Sequence, residues 1–336
     1  MGKFLEGERI RQAGFKANSS DFSDQARFEG CYNGKPRPFC LPLDLAGQNL
    51  FPEIRESALA FFSEHGIHWH DGKNGNPSNH LCDSQVCCVN FLFPFADKPA
   101  ALAQVLRPVF PEIKVMLPVE SGKHVSFEWI GAENYLGEKV PRSGRRARGA
   151  NCTSADAVVL FEREDNRRQA VIIEWKYTES YGGNFLKFSK HGTNRMDIYR
   201  RLFESEDCPI QKDALPDFDA LFYEPFYQLM RQQFLAHEME KAHELGADIV
   251  SVLHIAPAHN TDFQKITSPA LEKTGETATG AWKKLARPGD RFTSIHTEDL
   301  FGASSLQHLP EIKPWLDYIQ ARYPWVCERS YNYREY

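Results

Sequence analysis

No stretch of this sequence approaches the ~18 uninterrupted apolar residues of a transmembrane helix, so no membrane span is indicated. The first residues, MGKFLEGERIRQAGF, contain no apolar signal core, and Glu6 stands where an N-myristoylation signal needs Ser or Thr. There is no C-x-x-C pair, no glycine-rich phosphate loop with its lysine and no nucleophile elbow. P-loop nucleotide hydrolysis and serine hydrolysis therefore find no support. An excess of positive charge is also missing. Forty Lys and Arg against 45 Asp and Glu give a net charge of −5, so contact with a polyanion has to rest on a local patch. The eight cysteines are scattered along 336 residues without an export signal, which reads as reduced thiols in a cytoplasmic protein. Repeats and low-complexity tracts are absent.

What is present suits a folded α/β chain. Its 24 Phe, 12 Tyr and 6 Trp can build the core of one large domain or two ordinary ones. Residues 1 to about 50 are polar and only weakly periodic. FPEIRESALAFFSEHG (51–66) has helical spacing. DSQVCCVNFLFPF reads as a buried helix starting near Asp83 or Ser84, and 99–108 as a second, short one. HVSFEWIG (124–131) alternates like a strand, and TSADAVVLFER and RQAVIIEWKY are two more strands joined at EDN. A long, partly basic loop or helix pair fills 178–222. EPFYQLMRQQFLAHEMEKAHELG (224–246) is the best helix, with Pro225 near its first turn, and ADIVSVLHIAP (247–257) is a buried strand. This order predicts a mixed sheet with helices packed on it.

The strand around VIIEWKY is the unusual one. Glu174 and Lys176 interrupt an apolar run two residues apart, hence on one face, where buried charge is costly unless paired or bound. Two other E-x-K triplets, Glu112 with Lys114 and Glu311 with Lys313, sit in PEIK contexts beside prolines and read as surface features. A solvated, salt-bridged edge strand is the simpler account of the middle one. The hairpin offers another. If EDN is a three-residue loop, Arg163 faces Arg167, Glu162 faces Arg168, Val158 faces Ile172, and Asp156 falls opposite Glu174 on the same face. A two-residue loop would instead set Asp156 beside Trp175. Two carboxylates converging in an apolar face repel unless a cation lies between them, and a hard divalent ion with oxygen ligands, Mg²⁺ or Mn²⁺, fits. A lysine two residues on can orient or help deprotonate an attacking water and offset charge on phosphorus, which together describe metal-dependent phosphodiester hydrolysis.

Asp156 in SADAVVLFE with Glu174 and Lys176 in VIIEWKY resembles the PD-(D/E)XK, or restriction-endonuclease-like, nuclease superfamily over roughly residues 78–257. SQVCCVNFLFPF, FEWIGAENYLGE, EWKYTESY and EPFYQLMRQQFLA together are similar to a bacterial restriction-endonuclease-like branch of it. Ala155 precedes Asp156 where the motif often has Pro, and Gln228-x-x-x-Gln232 stands where some exonuclease-like branches carry Gln-x-x-x-Tyr. The resemblance implies an α/β restriction-endonuclease-like core of order αβββαβ over 78–257, a mixed central sheet flanked by helices. An N-terminal extension (1–77) packs on that core and a C-terminal one (258–336) follows. It implies Asp156, Glu174 and the backbone carbonyl of Trp175 as metal ligands, with Lys176 as the general-base or positioning lysine. The activity implied is a Mg²⁺- or Mn²⁺-dependent nuclease on DNA, with RNA left open, in restriction or defence. The alternative is a catalytically inactive relative that binds nucleic acid or a protein partner.

Other residues were candidates for the same site. KVPRSGRRARG (139–149) places Arg142, Arg145, Arg146 and Arg148 in a glycine-containing loop before Asp156, suited to backbone phosphates, or else to a solvated charge run. Gln228, Arg231 and Gln232 share one side of the long helix and read equally as phosphate- or lysine-orienting groups and as a partly exposed stripe. Glu128, with Phe127 and Trp129 turned to the opposite face, could add a third carboxylate, with Glu133 behind it. Lys187, Lys190, Arg195, Arg200 and Arg201 could form a second DNA-facing wall diluted by acids. His68, His70, His80, Cys82, Cys87 and Cys88 raise a zinc alternative with poor spacing. LPEIKPWLDYIQARYPWV reads as a C-terminal helix with exposed aromatics, fit for core packing or for a homodimer.

Overall fold

The computed structural model describes residues 2–140, 144–150, 152–275, 277–302 and 304–328. The polar N-terminal stretch holds α1 (Lys3–Asn18) and a small hairpin, β1 (Gly30–Tyr32) with β2 (Lys35–Arg37). Helix α1 has little apolar period because it buries Glu8, Gln12 and Lys16, a polar stripe at i, i+4 and i+8. Next come α2 (Arg55–Glu64), α3 (Ser84–Leu92) and α4 (Pro99–Leu106). Helix α3 starts at Asp83, whose carboxylate accepts the Val86 N–H at 2.8 Å.

The sheet is built from β3 (Ile113–Leu117), β4 (Val125–Trp129), β5 (Ala155–Arg163), β6 (Arg168–Trp175), β7 (Ile249–Ala256) and β8 (Phe292–His296). Its order is β3-β5-β6-β7-β8, with β4 also on β5. Antiparallel β3 pairs with the far half of β5 (Leu117 opposite Leu160) and β4 with the near half (Val125 opposite Val159). They are two collinear pieces of one edge, interrupted by 118–124. Strands β6, β7 and β8 run parallel. Between β6 and β7 the chain forms α5 (Met196–Glu204) and α6 (Phe226–Lys241), and α6 packs on both strands. The molecule has the mixed α/β architecture expected, in the order αβββαβ, with β3 and β8 in addition. Strand β3 grows out of the first PEIK stretch, where Glu112 and Lys114 do pair at the surface, with Arg163 and Glu162.

Alternation along the strands separates two cores. Val159, Phe161, Val171, Ile173, Trp175, Leu253 and Ile255 face one, shared with α2, α3 and α4. Val158, Leu160, Ala170, Ile172, Val250 and Val252 face the other, under α6 and α7 (Ala278–Leu285). Past β8 the chain adds α8 (Thr297–Phe301) and α9 (Lys313–Arg322). The expectation of exposed aromatics here is overturned: Trp315, Tyr318, Tyr323 and Trp325 are all buried in the first core. Trp315 packs against Phe91, Phe95 and Phe301, so the C-terminal helix completes the core. Among the described residues no helix is long and apolar enough to cross a membrane.

Candidate active site

The hairpin between β5 and β6 has the three-residue loop. The Arg163 N–H donates to the Arg167 carbonyl at 2.9 Å, and Asn166 takes a left-handed φ of 63°, which closes a three-residue turn. Glu162 lies opposite Arg168, Val158 opposite Ile172 and Ala157 opposite Ile173. The ladder ends at Ala157–Ile173; carried one residue further, the same register puts Asp156 opposite Glu174, whose charge acts on it. The Trp175 N–H donates to Asp156 Oδ2 at 2.6 Å. The Trp175 side chain points away into the first core, against Phe91 and Phe301.

Strand β6 lies between β5 and β7, so the edge-strand account of Glu174 and Lys176 does not apply. Both are buried, at 1% and 5% exposure. Glu174 Oε1 accepts from Lys176 Nζ, and Oε2 accepts from Gln232 Nε2 at 2.6 Å. Gln232, carried by α6, also donates to the Ser154 carbonyl at 2.8 Å, so it ties the start of β5 to Glu174. Glu128 is buried too. Its Oε1 accepts from Gln85 Nε2 and its Oε2 from the Ser154 hydroxyl, each at 2.7 Å. A left-handed φ of 50° at Glu128 breaks the alternation of β4. Phe127 and Trp129 were expected on one face. Instead Phe127 enters the first core, while Trp129 packs on the second and donates to Glu244 at 2.7 Å. Glu133 is exposed.

The electrostatics follow from burial. Burial pushes the Asp156 carboxyl well above the usual carboxylate range, and Glu174 pushes it further, against Lys176 and the Trp175 N–H. Burial also raises Glu128, with Glu174 adding to the effect and the Ser154 and Gln85 hydrogen bonds opposing it. For Lys176, burial works to lower the pKa but is outweighed by Glu174, Tyr181, Glu179 and Asp156. The ammonium is held well above its ordinary value. Three carboxylates thus share a site with one ammonium.

Two groups in this neighbourhood escaped the sequence reading. His254 stands on β7 directly across from Glu174, and its ring Nδ1 lies 3.0 Å from the Ser294 hydroxyl. Burial, with Lys176 and His296 nearby, lowers its pKa to about 3, so the imidazole is neutral. A histidine in an apolar strand, in phase with a neighbouring glutamate, was the available signal. Glu224 precedes α6. Burial raises its carboxyl against the pull of Arg231 and Lys176, and its Oε2 is buried without a hydrogen-bond partner. Only tertiary packing brings it here.

The basic residues divide. Arg142 lies outside the described residues. Arg145 is exposed. Arg146 donates to the carbonyls of Ile130, Gly131 and Ala132 at 2.6–3.1 Å. Arg148 pairs with Glu120 at 2.9 Å, bonds Ser126 and the Phe127 carbonyl, and lies over the Trp129 ring. The loop then closes at Gly149 (φ 71°), where a Cβ would meet the His68 carbonyl oxygen at 2.5 Å. Arg146 and Arg148 therefore fasten the loop to β4. The helix trio also serves three separate contacts: Gln228 accepts from the Tyr181 hydroxyl, Arg231 donates to Thr153 at 3.3 Å and stacks over Tyr227, and Gln232 holds Glu174.

Among the described residues no three His, Cys, Asp or Glu side chains are gathered so as to hold a metal by themselves. Of the residues that raised the zinc alternative, Cys87 and Cys88 are buried within α3, and His80 Nδ1 accepts from the Cys82 N–H. A hard ion here would draw on Asp156, Glu174 and a main-chain carbonyl, with water and substrate oxygen completing the shell.

A family model described as Restriction Endonuclease associating with ARP matches residues 9–324. The chain belongs to this family. The match begins within α1 and ends just past α9. No curated protein and no solved structure matches the chain.

Proposed function

We propose that the protein is a Mg²⁺- or Mn²⁺-dependent nuclease of the PD-(D/E)XK type, hydrolysing phosphodiester bonds in DNA in a cytoplasmic restriction or defence role. One observation carries the reading: the β5–β6 register, carried one residue past Ala157–Ile173, puts half-buried Asp156 opposite Glu174, and buried Lys176 is bonded to Glu174. Family membership supports it. Asp156, Glu174 and the Trp175 carbonyl would hold the cation, with Glu128 as a third acid close by. When bound, the ion supplies Lewis acidity to the phosphoryl group and to water.

The remaining work falls to this chain's own groups. The Trp175 N–H fixes Asp156, and Gln232 fixes Glu174. Lys176, paired with Glu174, is placed to orient or help deprotonate water and to offset charge growing on the phosphoryl oxygens. Neutral His254 beside Glu174 adds no charge.

Plasmid and linear DNA incubated with the protein and Mg²⁺, Mn²⁺ or EDTA tests this. Cleavage should require the metal and fall by about 10²-fold or more in Glu174→Ala and in Lys176→Ala. Cleavage that persists in EDTA or in both variants refutes the site. A wild-type protein that binds DNA or RNA yet cleaves neither would instead be the noncatalytic relative.

A further inference from the structure

The segment that follows the lysine strand has a surface that the cleavage chemistry does not use. From Ser180 to Met196 there is no acidic residue in a chain of net charge −5. Within it, Phe188 and Asn194 pair as an antiparallel bridge, and the Ser189 N–H donates to the Thr193 carbonyl at 2.9 Å. This forms a tight finger with Lys190, His191 and Gly192 exposed at its tip. The base of the finger is anchored. The Leu186 N–H donates to the Phe222 carbonyl at 2.8 Å, Arg195 donates to the Leu186 carbonyl at 2.8 Å, and Lys187 pairs with Asp219 at 3.0 Å.

Three phenylalanines stand exposed among the described residues, and two of them, Phe185 (44%) and Phe188 (57%), belong to this segment. Phe185 is stacked on Tyr223 with centroids 5.1 Å apart and an interplanar angle of 28°. Lys187 Nζ lies 5.9 Å from the centre of the Phe188 ring. Exposed aromatic faces on a segment that carries Lys187, Lys190 and Arg195 and no acid of its own, with Lys187 neutralised by Asp219 outside it, match the pattern that holds unpaired nucleotides, where bases stack on rings and the backbone meets positive charge. The platform adjoins the site: Tyr223 precedes Glu224, and Tyr181, at the start of the segment, bonds Gln228 and lies near Lys176.

We infer that Phe185, Tyr223 and Phe188 form a base-stacking platform, with Lys190 at its edge, that holds unpaired nucleotides of single-stranded nucleic acid leading to Asp156 and Glu174. The substrate role of the platform rests on the nuclease reading; binding does not require cleavage. Folded full-length protein is titrated in EDTA with an oligothymidine carrying one 2-aminopurine, and with an intact duplex of the same length. Phe188→Ala and Phe185→Ala should each weaken single-strand binding by about tenfold or more and restore the 2-aminopurine fluorescence that stacking quenches. Phe188→Trp should retain both, and Phe28→Ala, at the third exposed phenylalanine, should change neither. Because these side chains are exposed, melting temperatures should stay at the wild-type value. Full affinity in Phe188→Ala overturns the proposal, as does full affinity in Phe188→Leu, which keeps the apolar area but has no ring. An equal loss on intact duplex also overturns it. A protein that binds single strands in this way but never cleaves would sink the nuclease reading alone.

Discussion

At the scale of single residues, the site is governed by how few of its charges can reach water. Asp156 and Glu128 have carboxyl pKa values raised by burial and by Glu174, so the folded state holds their protons more tightly than the unfolded chain does. Stability from these groups is therefore present at low pH and lost as pH rises from the ordinary carboxylate range through the raised values. A divalent cation held as proposed by Asp156 and Glu174 would offset that loss. The Mg²⁺-induced rise in melting temperature should be larger at pH 8 than at pH 6 and should shrink in Asp156→Asn; a rise of equal size in that variant would remove Asp156 from the ligand set. Gln232→Leu takes a hydrogen-bond donor from buried Glu174 and should cost about 1–3 kcal/mol of stability, read by denaturant melts, together with reduced cleavage. The arginines should separate by assay. Arg145→Ala should lower the salt slope of DNA binding by about 1, whereas Arg146→Ala should lower the melting temperature and leave the slope unchanged.

Among the elements, the β5–β6 hairpin decides the site. Side chains alternate with a period of two, so a one-residue change in the loop moves Asp156 from Glu174 to the opposite face. Deleting Asp165 should abolish both cleavage and stabilisation by Mg²⁺, while Asn166→Gly should be tolerated because φ is positive there. Asn166→Val at that φ should cost about 1–2 kcal/mol in a denaturant melt. The hairpin was legible in sequence because its apolar alternation and turn residues agree. Strands β3 and β8 were not. Val115 of β3 is exposed, and β8 is a short strand with only Phe292 fully buried, so neither shows a clean period. Helix α1 escaped because its buried stripe is Glu8, Gln12 and Lys16.

Over the whole molecule, the two chain ends close around the strand that carries the lysine. Tyr177, next after Lys176, donates its hydroxyl proton to Glu8 and accepts from Gln12 Nε2 at 3.2 Å. Fully buried Arg322 donates to Gln12, Asn49, Leu81 and Tyr318, joining α9 to α1 and to the segment before α3. A chain ending at residue 309 loses Trp315, Tyr318, Arg322, Tyr323 and Trp325 from the first core. It should fail to give a cooperative melt, because removing several buried large side chains costs about 3–5 kcal/mol each against a typical total of about 5–15 kcal/mol.

The amino-acid sequence by itself determined the α/β class, the αβββαβ order and the hairpin register that brings Asp156 toward Glu174 and Lys176. Those features rest on local period and turn chemistry, which neighbouring residues encode. Tertiary structure decided which arginines remain free, what Gln228, Arg231 and Gln232 hold, and where the C-terminal aromatics go. It also brought His254 and Glu224 to the site from distant stretches of chain. Each of these depends on partners far apart in sequence, and no local pattern records them.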